Sequence, residues 1–594
     1  MNEKPNNIWK KPFHLPQLFL AWLCLMVVTI LIFTGVMLIL NEPVIKSHEV
    51  FGLLIFGAVS ASVLLAGWIF IRWLCCLRNF KRSLFACACL ATLIALFYAE
   101  EDWRGWHTWN QFKHEWEAKG EHFDLAGVTP APVPAEQNFA LTPIAFTGYG
   151  QYLTRDGKRI SNEQRDTNFV QRIKMEMAHD YKGPTNVAGN REKGKFTNLE
   201  GWQHYYRELA ATTNEFAVPA QPQSPAADVL LALSKYDSVI EELRVASRLP
   251  SSRFPLEYTN ESPSGILLPH LSALKICSLV LQLRSLAELQ NGQPDKALDD
   301  VTLGLQLTDK IRTEPFLISH LVRIAMFQIT LQPIWEGLAE HKWSDAQLVA
   351  LDAELAKLDF LPDYRLGMRG ELGCQGGEMD RLRRHPEQLQ DLSGFYGEEG
   401  GGQNVTLPGG LLGHLVPTGW FYQNQFRCAR MMVNYFIPVA NVNQDTFSPD
   451  LARRGDAAVS AEVKSASPFN MLEKLFLPAL GNAARKFAWG QASVDLARTA
   501  IALERYRLAH GEFPESQDGL APQFIAKVPH DVIGGQPLKY RREADGRFVL
   551  YSVGWNEMDD GGVVVNQKSR DPRDESSSKV DISQGDWVWR YPQK

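Results

Sequence analysis

Three apolar, uncharged runs crowd the first hundred residues, and they constrain the chain more than anything that follows. Leu18 to Leu40 holds 23 residues without a charge, Val50 to Ile71 holds 22, and Ser83 to Ala99 holds 17. As a helix the first run would be about 35 Å long, enough to cross a hydrocarbon core of ~30 Å. It is too long for the core of a signal peptide, and Asn41-Glu42-Pro43 follows it rather than a small-residue cleavage site. The third run is short for a span, but Lys81 and Arg82 can snorkel to lengthen it. The expectation is a cytoplasmic tail (1–17), three membrane helices (18–99) and a large water-soluble part.

The short loops orient these helices. Lys4, Lys10 and Lys11 face only Glu3 in the tail, and Arg72, Arg78, Lys81 and Arg82 stand without an acid in the second loop. The first loop sets Lys46 against Glu42 and Glu49. Positive-inside then predicts tail and second loop inside, first loop and soluble part outside. In a bacterium with two membranes this is a multi-pass inner-membrane protein with a periplasmic domain. If the third run only lies on the membrane, the domain is cytoplasmic instead. Trp103, Trp106 and Trp109 are expected to form an interfacial belt after Glu100-Glu101-Asp102.

Charge and cysteines narrow the partners. Residues 1–99 carry eight Lys/Arg and three Asp/Glu, leaving 53 basic and 64 acidic groups for the rest of the chain. An acidic soluble part argues against nucleic acid as a partner. The expected partners are the lipid bilayer and a protein of the cell envelope. Cys277, Cys374 and Cys428 are widely spaced and read as buried thiols, with one disulfide left open.

A polar helix with His107, His114 and His122 is expected over 100–124, followed by a polyproline-type spacer, Thr129 to Pro134. Residues 138–469 read as a mainly α soluble domain of helical hairpins. Its first part, 138–225, has no strong period. Val229, Leu233, Tyr236, Ile240 and Leu243 form one helical stripe. Leu271, Leu274, Leu281 and Leu289 mark a central helix that Asn291-Gly292 stops and after which Pro294 starts another. This pair resembles a single tetratricopeptide hairpin, without the recurrent period of that family; an ordinary αα-hairpin is the preferred reading. Pro315 to Glu340 is a further helix, with a kink expected at Pro333. Ser344 to Gln347 has capping-box spacing. The glycine-rich stretch 394–419 is predicted to be a flexible loop, a helix is expected at Gln423–Phe436, and another loop from there to Phe469.

Residues 470–594 read as a small α+β module, a long helix plus an antiparallel hairpin. The helix runs from Asn482 to His510 with Phe487, Gly490, Val494, Ala497, Ile501 and Leu508 inward. Strands Leu538–Arg541 and Arg547–Gly554 follow, joined through Ala544-Asp545-Gly546. The helix ending in Tyr506 and His510-Gly511, Phe513-Pro514, then Val528-Pro529-His530-Asp531, Gly535-Gln536-Pro537-Leu538 and Tyr551-Ser552-Val553-Gly554 resemble the globular half of type II secretion major pseudopilins. The segments WEAKGEHFDL, PAPVPAEQNFAL and DLARTAIALERYRLAHGEFP are similar to a group of large, uncharacterised bacterial membrane proteins. The pseudopilin resemblance implies a calcium loop after the second strand, with Asn556, Asp559, Asp560 and Asp581 as its ligands here. Lys579 stands where that family has another aspartate.

Motifs for common catalysts do not occur: GxSxG, HExxH, Walker A and GxGxxG are missing. The reading is a membrane-anchored scaffold or protein-interaction protein. Its alternative is an envelope hydrolase with a nonstandard site, for which a deep pocket of converging His, Asp or Glu would speak.

Overall fold

Long apolar runs, with Pro16 confined to the first turn of one and Arg72 to the last turn of the other, carry the first helices for 25 residues each: α1 is Leu15–Ile39 and α2 is Val50–Leu74. They pack on one another through Phe33 and Phe56, whose ring centroids are 5.0 Å apart, and through Trp22, which donates to Ser62 at 2.9 Å. The computed structural model describes residues 15–39, 50–74, 77–146, 151–153, 159–161, 175, 184, 186–213, 215–259, 262–390, 410–464, 467–477, 480–567 and 579–592. The chain divides into two compact units, Met1–Glu101 and Asp102–Lys594. By length and composition four helical stretches are apolar enough to cross a membrane: Leu15–Thr34, Leu54–Trp73, Arg78–Glu117 and Leu317–Ala339. The fourth has 67 % of its most apolar window buried inside the protein, so it is a core helix by packing.

Helix α3 (Leu77–Glu117) changes character along its length. Its last turns belong to the second unit, where Trp109 is buried against Phe112 and Phe123. Trp109 is therefore a core residue rather than part of an aromatic belt; Trp103 and Trp106 remain exposed. The proline-rich segment after it is not a free spacer. Arg253 Nε donates to the Pro130 carbonyl at 3.0 Å, and Asn138 bonds the backbone of Arg253 with both ends of its amide.

The second unit is mainly helical, with a few small antiparallel sheets. After α4 (Leu199–Thr212), the expected single stripe is split into α5 (Pro225–Leu233) and α6 (Asp237–Ser247), with a 3-10 turn over Ser234–Tyr236. All five stripe residues are nonetheless buried. Helix α7 (Pro269–Gln290) ends as its sequence predicts. Gly292 adopts φ 71°, its N–H bonds the Leu289 carbonyl at 3.3 Å, and the Gln293 N–H bonds Glu288 at 2.9 Å. This pair of bonds is the Schellman stop, in which glycine pays no Cβ penalty in the left-handed region. Helices α8 (Pro294–Asp309) and α9 (Leu317–Ala339) follow, the latter running through Pro333. Ser344 and Gln347 form a capping box at the start of α10 (Asp345–Leu355), and Leu348, Leu351 and Leu355 are fully buried behind it.

Helix α11 (Phe360–Arg384) carries Gly367, Gly370, Gly373 and Gly376 at every third position. A Cβ on Gly370 would stand 1.4 Å from the Pro315 carbonyl oxygen, and one on Gly376 2.4 Å from that of Phe123. The glycines let two backbone segments lie directly against the helix.

Of the glycine-rich stretch, 394–409 lies outside the described residues; Gly410–Leu415 is a 3-10 turn. Helix α12 (Thr418–Met431) continues as a π-helical turn to Phe436. The loop expected up to Phe469 is interrupted by helix α13 (Pro449–Lys464), whose small and charged residues hide its apolar face. Only Ala452 and Val459 reach the main core from it with full burial, a sparse signal in sequence.

Helix α14 (Leu480–His510) is the centre of that core. Phe487, Gly490, Val494, Ala497 and Ile501 are buried as expected, whereas Leu508 is 43 % exposed because the last turn projects past the core. One apolar cluster joins α14 to α9, α10 and α11 and to the C-terminal strands. The described cysteines are free; Cys277 and Cys428 are buried and Cys374 is half-buried.

Among the described residues, nine short strands complete the fold. β1 (Gln151–Leu153) pairs β2 (Arg159–Ser161), and β3 (Ala440–Asn441) pairs β4 (Thr446–Phe447). β5 (Lys539–Arg542), β6 (Phe548–Ser552) and β9 (Trp587–Trp589) form a three-stranded sheet in the order β5-β6-β9; β7 (Val564–Asn566) pairs β8 (Val580–Gly585). Asp531 explains one residue of the motif noted above. Its buried carboxylate accepts from Ile533 N at 2.9 Å, Ser552 Oγ at 2.8 Å and Val553 N at 2.9 Å, pinning the end of β6.

Candidate functional site

Two places bring chemistry-bearing side chains together. The first is a buried polar cluster among α7, α9 and α11. His270 Nε2 lies 2.6 Å from Glu314 Oε1, Ser319 donates to the other oxygen of Glu314, and Arg323 pairs with Asp363 and, at 3.3 Å, with Asp309. A serine–histidine–acid relay needs the imidazole between hydroxyl and acid. Here Glu314 stands in the middle and bonds both. Burial, and then the Arg323 charge, push the His320 imidazole down to about 3, so it stays neutral. His270 and Glu314 are at most 3 % exposed, and Ser319, His320 and Arg323 not at all. A substrate has no path to them. The cluster is a buried polar core joining three helices, in which neither ring nitrogen of His320 has a hydrogen-bond partner among the described residues.

The second place is open. Antiparallel register sets Arg541 opposite Val549 and Leu550 opposite Trp589. Continuing the latter by one residue brings Arg590 opposite Val549. Arg541, Val549 and Arg590 thus form one row across β5, β6 and the end of β9, on the sheet face away from α14. Residues two apart on a strand share a face, so Lys539, Tyr551 and Val588 make the next row on one side. Glu543, Arg547 and Pro592 make the row on the other, where the Glu543 N–H bonds the Arg547 carbonyl at 2.8 Å. The opposite face carries Phe548, Leu550, Trp587 and Trp589, all buried.

A groove of about 520 Å³ lies on this outer face, lined among others by Arg541, Glu543, Arg547, Val549, Arg590 and Tyr591. Arg541 bonds Glu543 at 3.2 Å, and Arg547 bonds Asp545 at 2.6 Å and the Pro592 carbonyl at 3.3 Å. Among the described residues the Arg590 guanidinium bonds only the Gly562 carbonyl, at 3.3 Å. Burial pulls its affinity for a proton down, though it stays a cation. Among the described residues, no carboxylate is paired with it.

The loop predicted to hold calcium forms the wall of this groove. Asn556 donates to Asp560 at 2.9 Å. Asp559 accepts from Tyr551 Oη at 2.9 Å and from Gly561 N at 3.1 Å, and lies 3.2 Å from Lys539 Nζ; these contacts hold its carboxyl below the usual range. Asp581 stands apart on β8, where it accepts from Ser583 N at 3.0 Å and Oγ at 2.6 Å. The loop is closed by Asp586, unnoticed in the sequence. Its buried carboxylate accepts from Gly562 N at 2.6 Å and from Asp560 N and Val563 N at 3.3 Å. A calcium ion takes about six to eight oxygens from one converging set. Among the described residues no group of three or more His, Cys, Asp and Glu is placed to hold a metal. Tyr551, Lys539, Ser583 and backbone N–H groups contact the carboxylates of Asp559 and Asp581 in this arrangement.

The arginines escaped the sequence reading because β9 did. Trp587-Val588-Trp589-Arg590 alternates bulky inward residues with Val and Arg outward, a period-two signal only four residues long. Neither a family model, nor a curated protein, nor a solved structure matches this chain.

Proposed function

We propose that this chain is a membrane-anchored scaffold of the bacterial envelope that docks a protein partner on the outer face of its C-terminal sheet. The apolar helices and the loop charges support an inner-membrane anchor with the N-terminus inside and the large domain outside. The long helix laid against an antiparallel sheet supports the pseudopilin-like reading of residues 470–594. The observation that carries the docking reading is Arg590, a guanidinium that has no carboxylate partner among the described residues, in an open groove. Surface arginines in this protein are otherwise repeatedly matched by an acid, as Arg541, Arg542 and Arg547 are. Arginine is favoured where a planar carboxylate must be gripped by a partner surface.

Two experiments test the proposal. Reporter fusions after residues 45, 78 and 130 should read outside, inside and outside; an inside reading at 130 removes the envelope assignment. A photo-crosslinking residue in place of Val549, in native membranes, should capture a discrete partner that the same residue in place of exposed Val349 does not. Equal capture from both positions would sink the docking reading.

A further inference from the structure

Resting on that docking reading, the geometry points to a specific ligand chemistry: we infer that Arg590 and Arg541 together seat one carboxylate of an acidic peptide segment, with an apolar neighbouring residue on Val549 and Val588. The two guanidiniums are tethered to successive carbonyls of one loop. Arg541 NH1 donates to Gly561 at 3.0 Å and Arg590 NH2 to Gly562 at 3.3 Å. Consecutive Cα atoms are about 3.8 Å apart, so this tether draws two like charges from strands that flank β6 toward one spot. Like charges held together repel, and an anion between them relieves the repulsion. The loop is fixed for this task by the Asp586 carboxylate and by the Asp559 contacts to Tyr551 and Lys539. It lies close over the sheet, since a Cβ on Gly562 would be 3.0 Å from Val549.

Charge selects the anion. Arg541 is offset by Glu543 and Arg547 by Asp545, which leaves, among the described residues lining the groove, the Arg590 charge without a carboxylate. A carboxylate supplies one negative charge. A phosphate monoester supplies nearly two at neutral pH and would be repelled by Glu543 on the groove's own lining. Val549 and Val588 add an apolar surface beside the charge, which suits a peptide carrying an aliphatic residue next to its acid. The volume of about 520 Å³ admits two or three side chains and no more.

The test is titration calorimetry at low ionic strength on the full chain in detergent, with the capped tetrapeptide Ala-Glu-Val-Ala. Replacing its Glu by Gln should weaken binding at least tenfold. Arg590→Gln should do the same, and Arg248→Gln, at an exposed arginine elsewhere, should change nothing. If Arg590→Gln lowers the melting temperature, Arg541→Gln, on the separate strand β5, carries the test. A capped phosphoserine analogue should bind no more tightly than the Glu peptide. An uncapped Ala-Gln-Val-Ala that matches the Glu peptide would assign the site to chain termini and overturn the side-chain reading. Equal binding of Glu and Gln peptides, or binding unchanged in both arginine variants, overturns the inference. If Val549 crosslinking persists in Arg590→Gln, the inference fails while the docking reading stands; if crosslinking fails in the native protein, the docking reading itself falls.

Discussion

Asp586 accepts the Gly562 N–H at 2.6 Å, and this bond sets the position of a loop that a sequence reader would assign to a cation. A buried carboxylate gathers the backbone donors here. Asp586→Ala leaves three N–H groups without that acceptor, at about 2–4 kcal/mol in total by the cost of unmade buried bonds. The melting temperature in detergent should fall accordingly. Asp586→Asn keeps one acceptor oxygen and should lose less than half as much.

Calcium should not substitute for that carboxylate. Millimolar calcium is expected to leave the melting temperature of the wild-type protein within about 1 °C of its value in chelator, since a ligand stabilises only by binding the folded state. A rise that Asp581→Ala abolishes would show that the loop rearranges around the ion.

At the centre of the helical body, Arg323 and Asp363 are buried and paired. Asp363→Ala leaves a guanidinium without its buried partner and should destabilise by about 3–5 kcal/mol. The double change Arg323→Met with Asp363→Leu removes both charges and should recover most of that loss. Denaturant titration of the three proteins checks the order. A double variant as unstable as the single one would mean that the pair does more than cancel its own burial cost.

Glu473 is fully buried, and its carboxylate has no hydrogen-bond partner among the described residues. Burial, and then the Glu462 charge, push its pKa up to about 7 against the pull of Arg427 and Arg430. The folded protein therefore holds a proton that the unfolded chain releases near its ordinary value of about 4.3. This contribution is fully present below that pH and is lost as pH rises through about 7. The melting temperature of Glu473→Gln, measured from pH 4.5 to 8, should decline less than that of the wild type. Parallel profiles would show that the group does not titrate in this window.

Gly370 meets the Pro315 carbonyl where no side chain fits. Gly370→Ala should cost about 3 kcal/mol or more despite a helix-propensity gain of about 1 kcal/mol, because backbone must move. Gly377→Ala meets only the ring of Pro263 at 3.0 Å and should be close to neutral or mildly stabilising. Comparing the two by thermal melting separates the steric term from propensity.

What the sequence determined by itself is what depends on neighbours along the chain. The apolar runs of α1 and α2, the Gly292 stop, the Ser344–Gln347 capping box and the hairpin around Gly546 each follow from side chains within a few residues of the backbone they act on. The same local logic named five inward residues of α14 correctly and misjudged Leu508, whose exposure depends on where the core ends. Helix α13 was invisible because Ala452 and Val459 make a weak stripe. Only the tertiary structure decided the site. Arg541 and Arg590 are 49 positions apart, and it took strand order β5-β6-β9 to set them on one row and the Asp586-held loop to draw them together. Register between distant strands is fixed by packing against α14, by Trp587 and Trp589 entering the core, and such cross-chain geometry leaves no local pattern to read.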